Sequence, residues 1–156
     1  MRVIGLDFEA TGLLEENPRI LEVGAVLYDV DQKIPLAMVS EMVDPGEIEP
    51  GYVSPTGLRG SDVIEFGESF CLVMNQVEQM INRHKPDALV GHNIVNYDIP
   101  LLKKELERVA PFSCPALLAL PVIDTRQDLP FAKEPGSRKL VHLIAEARLP
   151  NPCPHR

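Results

Sequence analysis

Arg2-Val3-Ile4-Gly5-Leu6-Asp7-Phe8-Glu9 runs directly into Ala10-Thr11-Gly12-Leu13, and this stretch decides the fold. An apolar, β-prone run ends in two carboxylates spaced i, i+2, and a Thr-Gly turn follows. Alternate side chains of a strand share a face, so Asp7 and Glu9 project together. Residues 2–9 therefore read as a buried strand with two acids at its carboxyl end. Two like charges about 4 Å apart repel by roughly 4 kcal/mol at an effective dielectric near 20. The pair calls for a cation, and a divalent metal is the usual one.

Outward from that strand, Ile20-Leu21-Glu22-Val23-Gly24-Ala25-Val26-Leu27-Tyr28-Asp29-Val30 reads as a long second strand. Residues 36–43 read as a third after the Asp31-Gln32-Lys33 turn, which makes an antiparallel meander. Residues 44–62, rich in Pro and Gly, read as a loop. Phe70, Val73, Met74, Val77, Met80 and Ile81 recur at helical spacing over residues 70–84. Ala88-Leu89-Val90-Gly91 is a short buried strand. A helix begins at Asn96, with Ile99, Leu102, Leu106 and Val109 on its inner stripe and Asn96 or Asp98 as its cap. Pro121-Val122-Ile123-Asp124 is a last strand. Residues 137–148 read as a helix with Leu140, Leu143, Ile144 and Ala147 inward. Together these elements predict an α/β domain over residues 1–156, with a mixed sheet of about five strands flanked by helices. Ligands of such sheets gather at the carboxyl ends of strands, where Asp7 and Glu9 fall.

A chain of 156 residues with 45% hydrophobic side chains suits one domain with a sizeable core. No stretch approaches the ~20 apolar residues of a membrane span. Asp7 and Glu9 interrupt the early apolar run, so no signal peptide is expected. Cys71, Cys114 and Cys153 are far apart and in no metal-type spacing, which reads as reduced thiols in a cytoplasmic protein. The net charge of −8 argues against broad, non-specific duplex binding. That charge is uneven: residues 1–62 hold 12 acids and 4 bases, whereas residues 124–156 hold 4 acids and 6 bases. The basic third, with Arg126, Lys133, Arg138, Lys139, Arg148 and Arg156, reads equally as a flank of a nucleic-acid groove or as ordinary solvated surface.

The second informative segment is Gly91-His92-Asn93-Ile94-Val95-Asn96-Tyr97-Asp98, which places a third carboxylate in the first turn of a helix. Taken alone, Asp98 reads as an acid stabilised by the helix macrodipole, worth ~0.3–1 kcal/mol. His92 alone reads as a hydrogen-bonded core histidine and Asn93 as a turn residue. Glu22 reads as a partner for a loop or backbone amide, and Asp124 with Thr125 as a cap for a following helix.

Taken together, Asp7-Phe8-Glu9-Ala10-Thr11-Gly12-Leu13, Gly91-His92-Asn93 with Tyr97-Asp98, and Pro154-His155-Arg156 resemble the three motifs of the DEDDh 3′→5′ exonucleases. That family includes the proofreading subunits of bacterial replicative polymerases. Residues 20–26 and Ile123-Asp124-Thr125 also resemble family positions, so the resemblance spans nearly the whole chain. It implies an RNase H-like fold and a phosphodiesterase that releases nucleoside 5′-monophosphates from single-stranded or frayed 3′ ends of DNA or RNA. Fraying a duplex end costs ~1.4 kcal/mol per stacked step.

The resemblance further implies that Asp7, Glu9 and Asp98 hold two divalent cations, Mg²⁺ or Mn²⁺, with Asp7 bridging. It makes His155 the general base, a role that a pKa of roughly 6.5 suits; without it, His155 reads as a loose terminal residue. It makes Ala10, Thr11, Gly12 and Leu13 the pocket for the terminal nucleotide, with backbone amides meeting the strand end and Leu13 wedged against the last base. Asn93 and Tyr97 become strand contacts. The implied partners are a nucleic-acid 3′ end and a polymerase subunit, with no membrane. Two positions depart from the family pattern. Ala10 stands where the family has Thr. The family's last carboxylate, roughly one and a half helical turns after the histidine, does not occur within the 156 residues. The expectation is a truncated chain, in preference to a degenerate relative that has lost the residue, with weakened activity. The rival readings are a non-catalytic module that binds nucleic acid or a polymerase, and an RNA-trimming relative.

Overall fold

In the computed structural model, residues 1–129 and 137–147 are described. The first strand, β1 (Arg2–Ala10), buries Ile4, Leu6, Phe8 and Ala10 and turns Asp7 and Glu9 to the opposite face. Asp7 is exposed and Glu9 half-buried. The expectation of a buried strand is thus corrected to a strand buried on one face. The odd-numbered side carries two charges that cannot join an apolar core unpaired.

β1 pairs antiparallel with β2 (Ile20–Asp29), which pairs antiparallel with β3 (Ile34–Met42). On its other side β1 pairs parallel with β4 (Ala88–Gly91), and β4 pairs parallel with β5 (Val122–Asp124). The order β3-β2-β1-β4-β5 is the mixed five-stranded sheet with an antiparallel meander that the sequence predicts. β3 starts earlier than expected and takes in Pro35, which a strand at the sheet edge tolerates. β1 is the central strand, so its acidic end lies where both halves of the sheet meet.

Helix α2 (Phe70–His84) buries Phe70, Val73, Met74, Val77, Met80 and Ile81 on one stripe, as its spacing predicts. Ser69 caps it by accepting a hydrogen bond from the Leu72 amide. Two short helices were not expected. α1 (Gly60–Phe66) lies partly inside the segment read as a loop. Its first residue is Gly60, where a Cβ would fall 2.1 Å from the Glu49 carbonyl oxygen. α4 (Pro115–Leu118) is held by the buried Glu78 carboxylate, which accepts the amides of Ala116 at 3.0 Å and Leu117 at 2.7 Å. Its first-turn amides are satisfied by a side chain 38 residues away. The last described helix, α5 (Leu140–Glu146), is shorter than residues 137–148 and buries Leu143, while Leu140 and Ile144 are half-buried. Ala147, expected to face inward, is exposed. Among the described residues no helix is long and apolar enough to cross a membrane. Cys71 and Cys114 are free thiols, and Cys153 lies outside the described residues.

Candidate active site

Helix α3 (Asp98–Arg108) starts two residues later than its sequence suggests, and no side chain caps it in the ordinary way. Asn96 instead donates to the Asn93 side-chain oxygen at 3.2 Å. The Asp98 carboxylate turns toward the sheet and accepts the backbone N–H of Phe8 at 3.1 Å. The residues of α3 that face inward are Asp98, Leu101, Leu102 and Glu105, one position away from the expected stripe. Ile99, Leu106 and Val109 are only partly buried, and Leu102 alone of the predicted set is fully inside.

The loop from Gly91 to Tyr97 positions that carboxylate. A Cβ at Gly91 would come within 2.7 Å of the Ile94 side chain, itself fully buried, so the loop closes tightly only over glycine. Asn93 adopts φ 63°, a left-handed conformation that asparagine tolerates better than most residues. Asp124, fully buried, accepts the amides of Asn93 at 2.8 Å and Val95 at 3.2 Å, and that of Arg126 at 2.9 Å. It therefore pins the loop across the sheet as well as its own turn, which replaces the expected role of helix cap. The Thr125 hydroxyl donates to the Gly91 carbonyl and stands 3.0 Å from His92 Nδ1.

Asp7, Glu9 and Asp98 line one cleft of about 210 Å³, walled by His92, Asn93 and Tyr97 and closed by Thr56 and Leu140. The expected trio is thus gathered from a strand and a helix about ninety residues apart in sequence, the separation of the Asp98–Phe8 hydrogen bond. Burial pushes the Asp98 carboxyl up to about 7, and the neighbouring Asp7 charge pushes in the same direction, with a further contribution from Asp124. The Phe8 amide opposes that rise. The Tyr97 phenol is also raised, first by burial and then by Asp98, Glu9 and Asp7. Glu22 sits directly across from Glu9 in the β1–β2 ladder, so a further acid shares that face.

The donor chemistry fits a hard divalent cation: carboxylate oxygens in a cleft where the like charge of Asp7 helps hold a proton on Asp98. Asp7, Glu9 and Asp98 share the lining of one cleft, and among the described residues no set of three or more His, Cys, Asp and Glu side chains already forms a closed metal-binding group. His155 lies outside the described residues.

The turn after β1 is built differently from a bare row of amides. Ala10 buries its methyl group in the core. Its register against β2 shifts after Glu9. The Thr11 amide donates to the Arg19 carbonyl at 3.0 Å, and the Leu13 amide to the Glu16 carboxylate at 2.9 Å. Two amides of the stretch expected to meet a strand end, those of Thr11 and Leu13, are therefore engaged within the protein. What the turn offers outward is Leu13, which is 64% exposed. Two tyrosines hold the turn: Tyr52 donates to the Thr11 carbonyl at 2.7 Å and Tyr97 to the Gly12 carbonyl at 2.8 Å. The Tyr97 hydroxyl, expected to face a strand, thus serves the turn. From α3, Lys104 donates to the Leu14 carbonyl and Arg108 to the Pro18 carbonyl. Buried Glu105 bridges Arg19 at 3.0 Å and Arg108 at 2.6 Å. Local pattern does not show Tyr52 or Glu105, whose partners Thr11 and Arg19 are distant in sequence, nor Thr56, which only the fold brings to the cleft.

The RNase T family model, described as an exonuclease, matches residues 4–156. The DNA polymerase III subunit epsilon of Treponema pallidum (strain Nichols) is 34% identical over 100 residues, covering 64% of this chain and 44% of that protein. Among solved structures, the zinc-ion-bound form of the E. coli exonuclease I–ssDNA complex superposes with a TM-score of 0.71 at 15% identity, over 99% of this chain and 37% of that one. E. coli exonuclease I in complex with a dT13 oligonucleotide gives 0.68 at 14% identity, over 96% and 36%. The chain spans well under half the length of these relatives. At such identities the structural likeness speaks for the fold, which is the RNase H-like α/β sheet. With the motifs in order along the chain and nearly all of it within the family model, this protein belongs to the exonuclease family, in its DEDDh branch.

Proposed function

We propose that this chain carries a metal-dependent 3′→5′ exonuclease site that hydrolyses phosphodiester bonds at single-stranded or frayed 3′ ends and releases nucleoside 5′-monophosphates. The observation that carries the reading is the convergence of Asp7, Glu9 and Asp98 on one cleft, with Asp98 lifted to about 7. On this reading the three carboxylates hold two divalent cations, Mg²⁺ or Mn²⁺. When bound, these cations supply charge neutralisation at the attacking and leaving oxygens of an in-line displacement. His155 takes the proton from the attacking water. Leu13, exposed beyond the turn, packs against the last base, a contact that tolerates any sequence. Tyr52 and Tyr97 hold that turn by its successive carbonyls, and Tyr97 also lines the cleft.

The relative named as a polymerase III subunit supports a polymerase as the protein partner, and the exonuclease I–oligonucleotide complexes support a single strand as substrate. The experiment is a 3′-tailed oligonucleotide labelled at its 5′ end, incubated with the protein and Mg²⁺ or Mn²⁺. Stepwise shortening is expected, and Asp7→Ala is expected to slow it by roughly 10²-fold or more, the scale on which a lost transition-state stabiliser is felt. An unshortened strand, or an Asp7→Ala variant with the parent rate, sinks the proposal.

The acidic face of β1 and β2, where Glu9 stands opposite Glu22, favours one second reading, a module that binds a polymerase partner without turnover. Calorimetric titration with Mn²⁺ separates the two, since heat of binding that vanishes in Asp98→Ala belongs to the nuclease reading alone.

A further inference from the structure

β3 is the last strand on its side of the sheet, and its free edge is closed at one end only. The Val43 amide donates to the Leu21 carbonyl at 2.8 Å, which continues the β2–β3 ladder one residue past Met42. Hydrogen-bonded pairs alternate along an antiparallel ladder, so Val39 and Glu41 also turn their backbone groups toward β2. Met38, Ser40 and Met42 turn theirs outward. The chain itself shows that this edge accepts a strand. Glu68 runs parallel beside Val43, its amide donating to the Met42 carbonyl at 2.9 Å and its carbonyl accepting the Asp44 amide at 3.0 Å. Glu68 closes the edge at Met42; among the described residues no strand pairs with the outer side of β3 at Met38 and Ser40. Edge strands are ordinarily guarded by charge or by proline. From Leu36 to Ser40 this one carries neither, and Met38 is 70% exposed, with Ile34 and Leu36 exposed beside it.

We infer that two copies of this chain pair antiparallel along β3, Met38 facing Met38, and join their sheets across a two-fold axis. The strand suits itself as a partner for two reasons. Its outward backbone groups are self-complementary under that symmetry, and apolar side chains of one edge meet those of the other. Its ends also carry opposite charge. Exposed Lys33 precedes β3, and the Asp31 beside it is already paired with the amino terminus. Asp44 and exposed Glu68 stand at the other end. Antiparallel pairing brings Lys33 of each copy to the acidic end of the other, whereas parallel pairing lays acid beside acid. A chain of net charge −8 thus meets itself along a stretch without charge. β1 lies two strands inward and no β3 residue lines the acidic cleft, so the inference stands apart from the nuclease reading.

The test is sedimentation of the whole chain under reducing conditions from about 5 to about 500 µM, the range in which a small interface associates. A monomer–dimer equilibrium is expected, with the dimer gaining as concentration rises. Ser40→Pro removes an outward amide and no bond to β2, as an edge strand tolerates. It is expected to raise the dissociation constant by roughly ten-fold or more, the worth of the two bonds lost across the axis. Met38→Lys sets like charges against each other on the axis and is expected to act in the same direction. As a change at an exposed side chain, it keeps the inference open to refutation if Ser40→Pro fails to fold. Lys33→Glu is expected to weaken the dimer, and Lys33→Glu with Glu68→Lys to recover it. Register is read from Met38→Cys, which is expected to give a covalent dimer under mild oxidation where the parent gives none. A monomer throughout the range overturns the inference. So does a dimer that both Ser40→Pro and Met38→Lys leave at the parent's strength, or a Met38→Cys variant that stays uncrosslinked while dimeric.

Discussion

The Asp98 carboxylate accepts the Phe8 amide at 3.1 Å, so the first residue of α3 is tied to the strand between Asp7 and Glu9. One hydrogen bond thereby fixes the separation of the helical acid from the strand pair.

That acid gives the free protein an unusual pH response. Asp98 in the folded chain titrates at about 7, against 3.8 for an ordinary carboxyl. Between those values the folded chain keeps a proton that the unfolded chain has released. The contribution is therefore full below pH 3.8 and is lost as the pH rises through about 7. At ~1.4 kcal/mol per pK unit it amounts to a few kcal/mol at most. Melting curves of the metal-free protein and of Asp98→Asn should diverge across this window, with the parent losing ground as pH rises. Parallel curves refute the shift.

Divalent cations act against the same proton. Mn²⁺ or Mg²⁺ is expected to raise the melting temperature, and by more near pH 8 than near pH 6, because binding must displace the proton on Asp98. EDTA reverses the gain. A gain independent of pH, or undiminished in Asp98→Ala, contradicts the assignment of the ligands.

Glu105 is 2% exposed and carries both Arg19 and Arg108. Removing one partner of a buried ion pair costs up to ~3–5 kcal/mol; here the arginines are partly solvated, so about 2–3 kcal/mol is expected for Glu105→Ala. Urea denaturation gives the loss directly. Limited proteolysis should cut first within residues 11–19, the segment these arginines and Lys104 hold. A midpoint unchanged from the parent, with no new cleavage there, removes Glu105 from this role.

Asp124→Ala strands the amides of Asn93, Val95 and Arg126 in a part-buried setting. A loss of roughly 2–4 kcal/mol follows from unsatisfied donors, and Asp124→Asn should recover part of it. Mn²⁺ affinity should drop alongside, because the loop that delivers Asp98 loosens. Calorimetry that finds equal Mn²⁺ affinity in a folded Asp124→Ala variant separates the loop from the ligands and defeats this coupling.

Which features could be read from sequence follows from where their partners lie. β1 is plain because its period of two sorts Ile4, Leu6, Phe8 and Ala10 from Asp7 and Glu9. α2 is plain because six apolar residues mark one stripe. α3 is misread by one position because two of its four inward residues are acids, which periodicity places outside. α4 buries a single side chain, and α1 adds only Val63 to a glycine, too little for any pattern. At the candidate site the three acids are legible as local motifs. Asp124 is not, since its amide partners lie 29 and 31 residues away, and neither is Tyr52, which reaches a carbonyl 41 residues back. Such long-range hydrogen bonds leave no trace in neighbouring residues.

Helix α3 has two fastenings. At its first turn Asp98 is tied to β1, and along its later turns Lys104, Glu105 and Arg108 grip residues 14–19. It is thus a lever mounted between the acidic cleft and the segment that follows Leu13. Any ligand that drew Asp98 off the Phe8 amide would tilt that lever and shift its far end. On the proposed nuclease reading, the helix that supplies Asp98 to the cleft is thus the same one that holds the segment after the turn bearing Leu13.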